Sequence, residues 1–258
     1  MGALTSLALR FAAPLPDVES FRRFLFIGPH PDDIEIGAGA TAAKLAADGK
    51  QLAFLICTDG RYGAGNAPEG ISPDELAGLR KREAAASAAM LGVQDVRFLD
   101  LSDGGFYSYT ELVRGIAQAV GQFQPELIFA PDPFVSSECH DDHLRVGRAA
   151  QKIACFAPYA GIMEQFGAAA APVRAIAFYM TAKPNRFVKT GAYFARQQEA
   201  VFRCHTTQFP PNTPDAKALR AYLKLRSADY GLRCLCRSAE GFRVLGSTHM
   251  HCLPEAGK

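Results

Sequence analysis

The chain has 258 residues, 48% of them hydrophobic, with 28 basic against 26 acidic side chains and a formal net charge of +2. That supplies one large core or two modest ones, and too little charge imbalance for a nucleic-acid or membrane-binding surface. No apolar stretch is long enough to span a bilayer, and the opening "MGALTSLALRFAAPLPDVES" lacks a basic start before a clean apolar segment, so the expectation is a soluble, cytoplasmic protein.

The first apolar run, residues 24–28, is short, unalternating and closed by turn residues, which predicts a fully buried strand. Residues 37–48 read as a helix with Gly49 just past its end, and "QLAFLICT" (51–58) as a second buried strand, together a βαβ unit of a parallel sheet. Ser72 as a cap and Pro73 at the first helical position open a helix to about residue 91. A strand at 96–99, a helix around 110–123, a strand at 126–131, a helix at 143–156, a strand at 173–181 and helices at 194–204 and 215–230 follow. This alternation predicts a three-layer α/β sandwich with a mostly parallel, Rossmann-like sheet. With no linker or repeat in sight, the expected organisation is one domain over 1–258, with an N-terminal extension at 1–20 and substrate-side elements at 190–258.

Three loops rich in Gly, Pro and polar residues, 59–72, 100–109 and 131–142, follow predicted strands at the carboxyl edge, where open α/β sheets collect ligands. The loop after the first strand, "GPHPDDIEIG", carries His30, Asp32 and Asp33, stiffened by Pro29 and Pro31. Adjacent aspartates repel, and a divalent cation compensates them. Imidazole plus carboxylate suits zinc or a neighbouring first-row ion. The other dense cluster, "SSECHDDHLRVG", places His140 and His143 three apart at the start of a helix, which aims both rings to one side. If the two loops are neighbours, His143 could complete a His-Asp-His site with His30 and Asp33. Asp32 would then be free to take a proton from an activated water, and His140, oriented by Asp142 or Asp141, would face the substrate.

Seven cysteines include no C-x-x-C pair, which argues against a disulfide framework and a thiolate zinc site. They read as buried small hydrophobes, and only Cys234 and Cys236 lie close in sequence. His249 and His251 read as an exposed or strand-borne pair, and Lys44, Arg80 and Lys81 as solvated charges on helices.

Pro29-His30-Pro31-Asp32-Asp33 with Glu35 and Gly37, followed by "TDGRYG", "RKREAAASAAMLG" and "HDDH", resembles the zinc-dependent N-acetylglucosaminyl deacetylases of the LmbE-like, or PIG-L, family. Fainter echoes continue at His205-Thr206-Thr207-Gln208 and Glu240-Gly241-Phe242. The resemblance implies a Rossmann-like fold, one Zn2+ held by His30, Asp33 and His143, Asp32 as general base, His140 assisting the tetrahedral intermediate, and Arg82 and Asp103 contacting the sugar. It implies an N-acetylglucosamine conjugate as substrate, with the free amine and acetate as products. Arg61 departs from the glutamate common at its position, Asp141 from a proline, and Glu138 and Cys139 stand where some relatives have a tyrosine.

Three rival readings carry less. "GPHPDDIEIGAGA" does not spell G-x-G-x-x-G, and its aspartates would repel a nucleotide's pyrophosphate. A metal hydrolase acting on a phosphoester or on another amide shares the same activated water, though many phosphoesterases use two ions. A non-catalytic sugar-binding relative would not need Asp32 and His140. The group attached to the amino sugar is open, as is oligomeric state, a homo-oligomer included.

Overall fold

In the computed structural model, which describes residues 11–63, 65–67, 69–251 and 253, strand β1 (Arg23–Gly28) leads through a short loop into helix α1 (Asp33–Ala47). Strand β2 (Gln51–Thr58), helix α2 (Pro73–Leu91), β3 (Asp95–Leu101), α3 (Tyr109–Phe123), β4 (Leu127–Pro131) and α4 (Asp141–Phe156) continue the alternation. A short helix α5 (Ala160–Gln165) precedes β5 (Ala175–Tyr179) and β6 (Arg186–Lys189), and helix α6 (Tyr193–Glu199) runs into a π-helical turn (Ala200–Cys204). Helix α7 (Pro214–Arg233), strand β7 (Ala239–Gly246) and helix α8 (Ser247–His251) follow. Residues 1–10 of the expected N-terminal extension, and 252 and 254–258 of the expected C-terminal segment, lie outside the described residues.

The strands form one sheet in the order β3-β2-β1-β4-β5-β7-β6. It is parallel from β3 through β5, and β7 runs antiparallel to β5 and β6. Neighbouring side chains on β1 point to opposite faces. Phe24 and Phe26 join Phe54, Phe129 and the apolar side of α1 and α2. Leu25 and Ile27 join Ile128 and the apolar sides of α3 and α4. Burial on both faces is why the run in β1 does not alternate. The Phe26 and Phe129 rings stack at 4.3 Å between centroids, tying β1 to β4.

Local signals agree with this packing. Helix α2 starts with a reciprocal capping box between Ser72 and Glu75 with Pro73 behind it, and ends on Gly92 in the left-handed region (φ 89°). Helix α1 begins at Asp33, four residues earlier than the sequence pattern suggests. Gly37 comes so close to Tyr179 that a Cβ there would lie 2.2 Å from its ring, so a weak helix former is required inside α1.

The topology places the site. From β1 the chain moves outward to β2 and β3, then returns to lay β4 on the other side of β1. Loops after β1 and β4 therefore diverge in opposite directions and leave a crevice at the carboxyl edge, the switch point where α/β sheets bind ligands.

Candidate metal centre

The loop after β1 is pinned from below. Thr58 at the end of β2 donates both its backbone N–H and its hydroxyl to the Pro29 carbonyl, each at 2.8 Å. Asp32 has φ 137°, a conformation rare for a side chain other than glycine's and found mostly where surrounding structure enforces it. Arg80 does the enforcing: its guanidinium donates to the Pro31 carbonyl at 3.2 Å, to the Gly60 carbonyl at 3.1 Å and to the Asp32 carboxylate at 3.3 Å. Arg80 is 4% exposed, not a solvated charge. The period of α2 could not reveal that one of its faces meets the β1 loop.

Across the crevice, α4 delivers His143. His30 Nδ1 lies 3.0 Å from Asp33 Oδ2, and His143 Nε2 lies 3.4 Å from the same oxygen. His30, Asp33 and His143 each offer one ligand atom, all within 4.8 Å of one another. Ligands about 2.0–2.1 Å from a tetrahedral zinc stand about 3.3 Å apart, so these separations, and the set of two imidazoles and a carboxylate, fit such an ion. A second group, His30, His140 and Asp142, shares His30 with the first and so forms no independent site.

Each imidazole is held from behind. His30 Nε2 lies 3.1 Å from Asp142 Oδ2, and His143 Nδ1 lies 3.1 Å from Glu138 Oε2. Carboxylates on the far nitrogen fix ring orientation and tautomer and raise ligand basicity. Asp142 is itself saturated, accepting from the Gly104 and Gly105 N–H groups at 2.7 and 2.9 Å and from the Tyr107 hydroxyl at 2.8 Å.

The electrostatics favour positive charge at this point. Burial works against protonated His30, but hydrogen bonds to Asp142 and Asp33 outweigh it and lift its pKa to about 10. Burial likewise opposes charge on His143, and Asp33 overrides it, raising His143 to about 9. Asp33 is held well below the carboxylate range by the two histidines, against its burial. A divalent ion held by His30, Asp33 and His143 would supply that positive charge in place of the protons. Asp32 behaves differently: burial raises it to about 6, with Arg80 pulling the other way. His140 is pushed down by burial and by the charges of His30 and His143, so it offers a neutral N–H.

The remaining expectations divide. His140 stands beside the cluster, its ring 4.6 Å from that of His30 and 5.0 Å from that of His143. Asp142 does not orient it by a hydrogen bond, because the carboxylate turned to His30 leaves His140 Nδ1 at 3.8 Å. Asp141 is no substitute, since it pairs with Arg145 at 3.4 Å. Asp103 is buried and accepts the Tyr62 N–H at 3.2 Å, tying loop 59–72 to loop 100–109. Arg82 is exposed. Two residues along a helix turn the chain by about 200°, which carries Arg82 away from the face where Arg80 meets Asp32. Tyr107 and the Gly104–Gly105 turn carry no mark in the sequence, and Glu138, notable there only for standing where relatives have a tyrosine, turns out to hold His143. Glu138 stood five residues before His143, and an acid so placed was the available signal.

Comparison with known proteins now bears on the site. The family description "GlcNAc-PI de-N-acetylase" (PIG-L) matches residues 25–154, a span containing every residue named in the cluster. Diacetylchitobiose deacetylase of Thermococcus kodakarensis is 31% identical over 256 residues, covering 98% of this chain and 93% of that protein. The chain belongs to the PIG-L family. A second relative, the 1D-myo-inositol 2-acetamido-2-deoxy-alpha-D-glucopyranoside deacetylase of Kineococcus radiotolerans, is 30% identical over 206 residues, covering 69% of this chain and 56% of that one. Among solved structures, the N,N'-diacetylchitobiose deacetylase from Pyrococcus horikoshii superposes with a TM-score of 0.87 at 28% identity, covering 98% of this chain and 97% of that one.

Outside the matched span, this PIG-L chain supports α1 from below. His205 is buried against Glu35 at 3.2 Å. Gln197 donates to the Glu35 carbonyl at 2.8 Å, and the Glu240 carboxylate accepts from the Ala40 and Thr41 N–H groups at 3.2 and 2.7 Å, so both side chains enter the hydrogen-bond ladder of α1. His249 and His251 lie on helix α8 rather than on a strand: His249 Nε2 meets the Ala13 carbonyl at 3.1 Å, and His251 is exposed. Arg61 chelates Asp59 at 2.6–2.8 Å and reaches Asp74 at 2.9 Å. No helix among the described residues is long and apolar enough to cross a membrane.

Proposed function

We propose that the chain is a metal-dependent N-deacetylase that hydrolyses the acetamide of an N-acetylglucosamine-containing substrate to a free amine and acetate. The observation that carries this reading is the convergence of His30, Asp33 and His143 on one point with Asp32 immediately beside it. Zinc is the ion we assign, from the two-imidazole, one-carboxylate set and its spacing. When bound it would act as a Lewis acid toward the amide carbonyl and lower the pKa of water to about 7.

The protein's own groups do the rest. Asp32, raised toward neutrality by burial and steadied by Arg80, accepts the proton of the attacking water and returns it to the departing nitrogen. The neutral N–H of His140 faces the carbonyl oxygen as negative charge develops there. Asp142 and Glu138 keep both ligand rings in register. A groove of about 620 Å3 lined by Ile36, Val135, Met180, Tyr222, Leu225 and Tyr230 suits the group attached to the amino sugar. Ile36 and Val135 belong to the two segments that carry the ligands, and Tyr222 offers an exposed ring on which a sugar can stack.

The test is a panel of N-acetylglucosamine conjugates, diacetylchitobiose and GlcNAc-inositol included, assayed for primary amine and acetate with and without a chelator. Stoichiometric release of both, abolished by the chelator and restored by zinc, is expected. Turnover that persists in the chelator, or release of sugar without acetate, would overturn the reading.

A further inference from the structure

The sequence sets Cys234 and Cys236 two apart at the end of α7, and the metal centre makes no use of them. The backbone gathers them. Cys236 donates its N–H to the Gly231 carbonyl at 2.9 Å and Leu235 to the Leu232 carbonyl at 3.4 Å, the paired bonds of a Schellman helix end. Leu235 occupies the left-handed position of that motif at φ 57°, where glycine or asparagine is usual and a branched side chain costs about 1–2 kcal/mol. The turn thereby brings the two sulfurs to 3.4 Å. Each thiol also touches a backbone carbonyl, Cys234 that of Tyr230 and Cys236 that of Ser238, both at 3.2 Å. Both cysteines are part-exposed, and Leu235 between them is 92% exposed, so small molecules reach the pair.

We propose that Cys234 and Cys236 form a redox-active dithiol that closes to a disulfide by exchange with a low-molecular-weight disulfide such as oxidised glutathione. One cysteine thiolate attacks a sulfur of the small disulfide, forming a mixed disulfide and releasing one small thiolate. The second cysteine thiolate attacks the protein-side sulfur, the Cys234–Cys236 bond forms, and the second small thiolate leaves. Two electrons pass from the dithiol to the small disulfide, and the two cysteine protons go to solvent. The sulfurs need to approach by only about 1.4 Å to reach the ~2.05 Å of a disulfide.

Cys139 is the internal control: it is exposed, and its thiol meets the Ser137 carbonyl at 3.6 Å. The purified full chain is incubated with oxidised glutathione, alkylated and digested after arginine, which releases residues 234–237 as one peptide. The proposal expects that peptide to lose the mass of two hydrogens and carry no glutathione, to regain alkylation with reductant, and to do so while Cys139 retains a glutathione adduct. Cys234→Ser should trap Cys236 as a stable glutathione adduct. A wild-type peptide that stays fully alkylated, or that holds glutathione as Cys139 does, would overturn it.

Discussion

Asp142 Oδ2 lies 3.1 Å from His30 Nε2, joining residues 112 positions apart in the chain. This contact orients the first imidazole of the cluster from the opposite side of the switch point, and the same carboxylate is locked by Gly104, Gly105 and Tyr107. Three loops at the carboxyl edge thus meet in one carboxylate. Loss of that acid should act on the metal before it acts on the chemistry.

The cleaner probe of this arrangement is Glu138, which holds His143 and is not buried. Glu138→Gln should weaken zinc binding by about 10–100-fold, the range for partners that orient a ligand, while full turnover returns at saturating zinc. Competition with a chromophoric chelator measures the affinity. Unchanged affinity would remove Glu138 from that role.

On the proposed reading Asp32 serves catalysis and not metal binding, so its variant separates the two. Asp32→Asn keeps the shape and the contact with Arg80, so zinc should remain stoichiometric by elemental analysis while kcat drops by at least about a hundredfold, as expected for a missing general base. Activity within a few fold of wild type would assign the base elsewhere.

Arg80 and Arg82 make a paired comparison. Arg80→Met leaves the Asp32 carboxylate and the Pro31 and Gly60 carbonyls without their donor, which should cost about 1–3 kcal/mol of stability and at least about tenfold in kcat without loss of zinc. Arg82→Met, on the exposed face, should change stability by under about 0.5 kcal/mol. Denaturant melts and steady-state kinetics on both variants decide it, and equal effects would contradict the assignment of the inner role to Arg80.

Glu240 gives a pH signature. Burial raises its carboxyl from 4.5 to about 7 despite the N–H groups that favour its ionised form. Between those values the folded state holds a proton that the unfolded chain has released. Its stabilising contribution is therefore complete below about pH 4.5 and is lost as pH rises toward 7, a change of about 3 kcal/mol. Chemical denaturation from pH 4.5 to 7.5 should show that Glu240→Gln removes this downward slope relative to wild type. Parallel curves would contradict the buried, protonated carboxyl.

Much of this was legible in the residues because the signals were local. β1 is apolar on both faces, α2 carries its own cap, and the Pro-His-Pro-Asp-Asp and His-Asp-Asp-His segments sit at strand ends. What escaped was set by tertiary contacts. β7 buries Glu240 and Arg243 among apolar neighbours, so neither alternation nor an apolar run marks it. β6 is four residues long. Helix α6 loses its α-helical register at Ala200, which the composition of 194–204 does not announce. The contacts of Glu138 with His143, Asp142 with His30 and Arg80 with Asp32 depend on which side of a loop or helix faces the crevice, and residue order alone does not say which.

The central claim is that two distant segments share one ion. Anomalous diffraction at the zinc edge, on crystals of the protein loaded with one equivalent of zinc, tests it most directly. The account predicts a single peak about 2.0–2.2 Å from His30 Nδ1, Asp33 Oδ2 and His143 Nε2, with Asp32 outside the coordination shell. A peak bound by other residues, or none between the loops after β1 and β4, would contradict it.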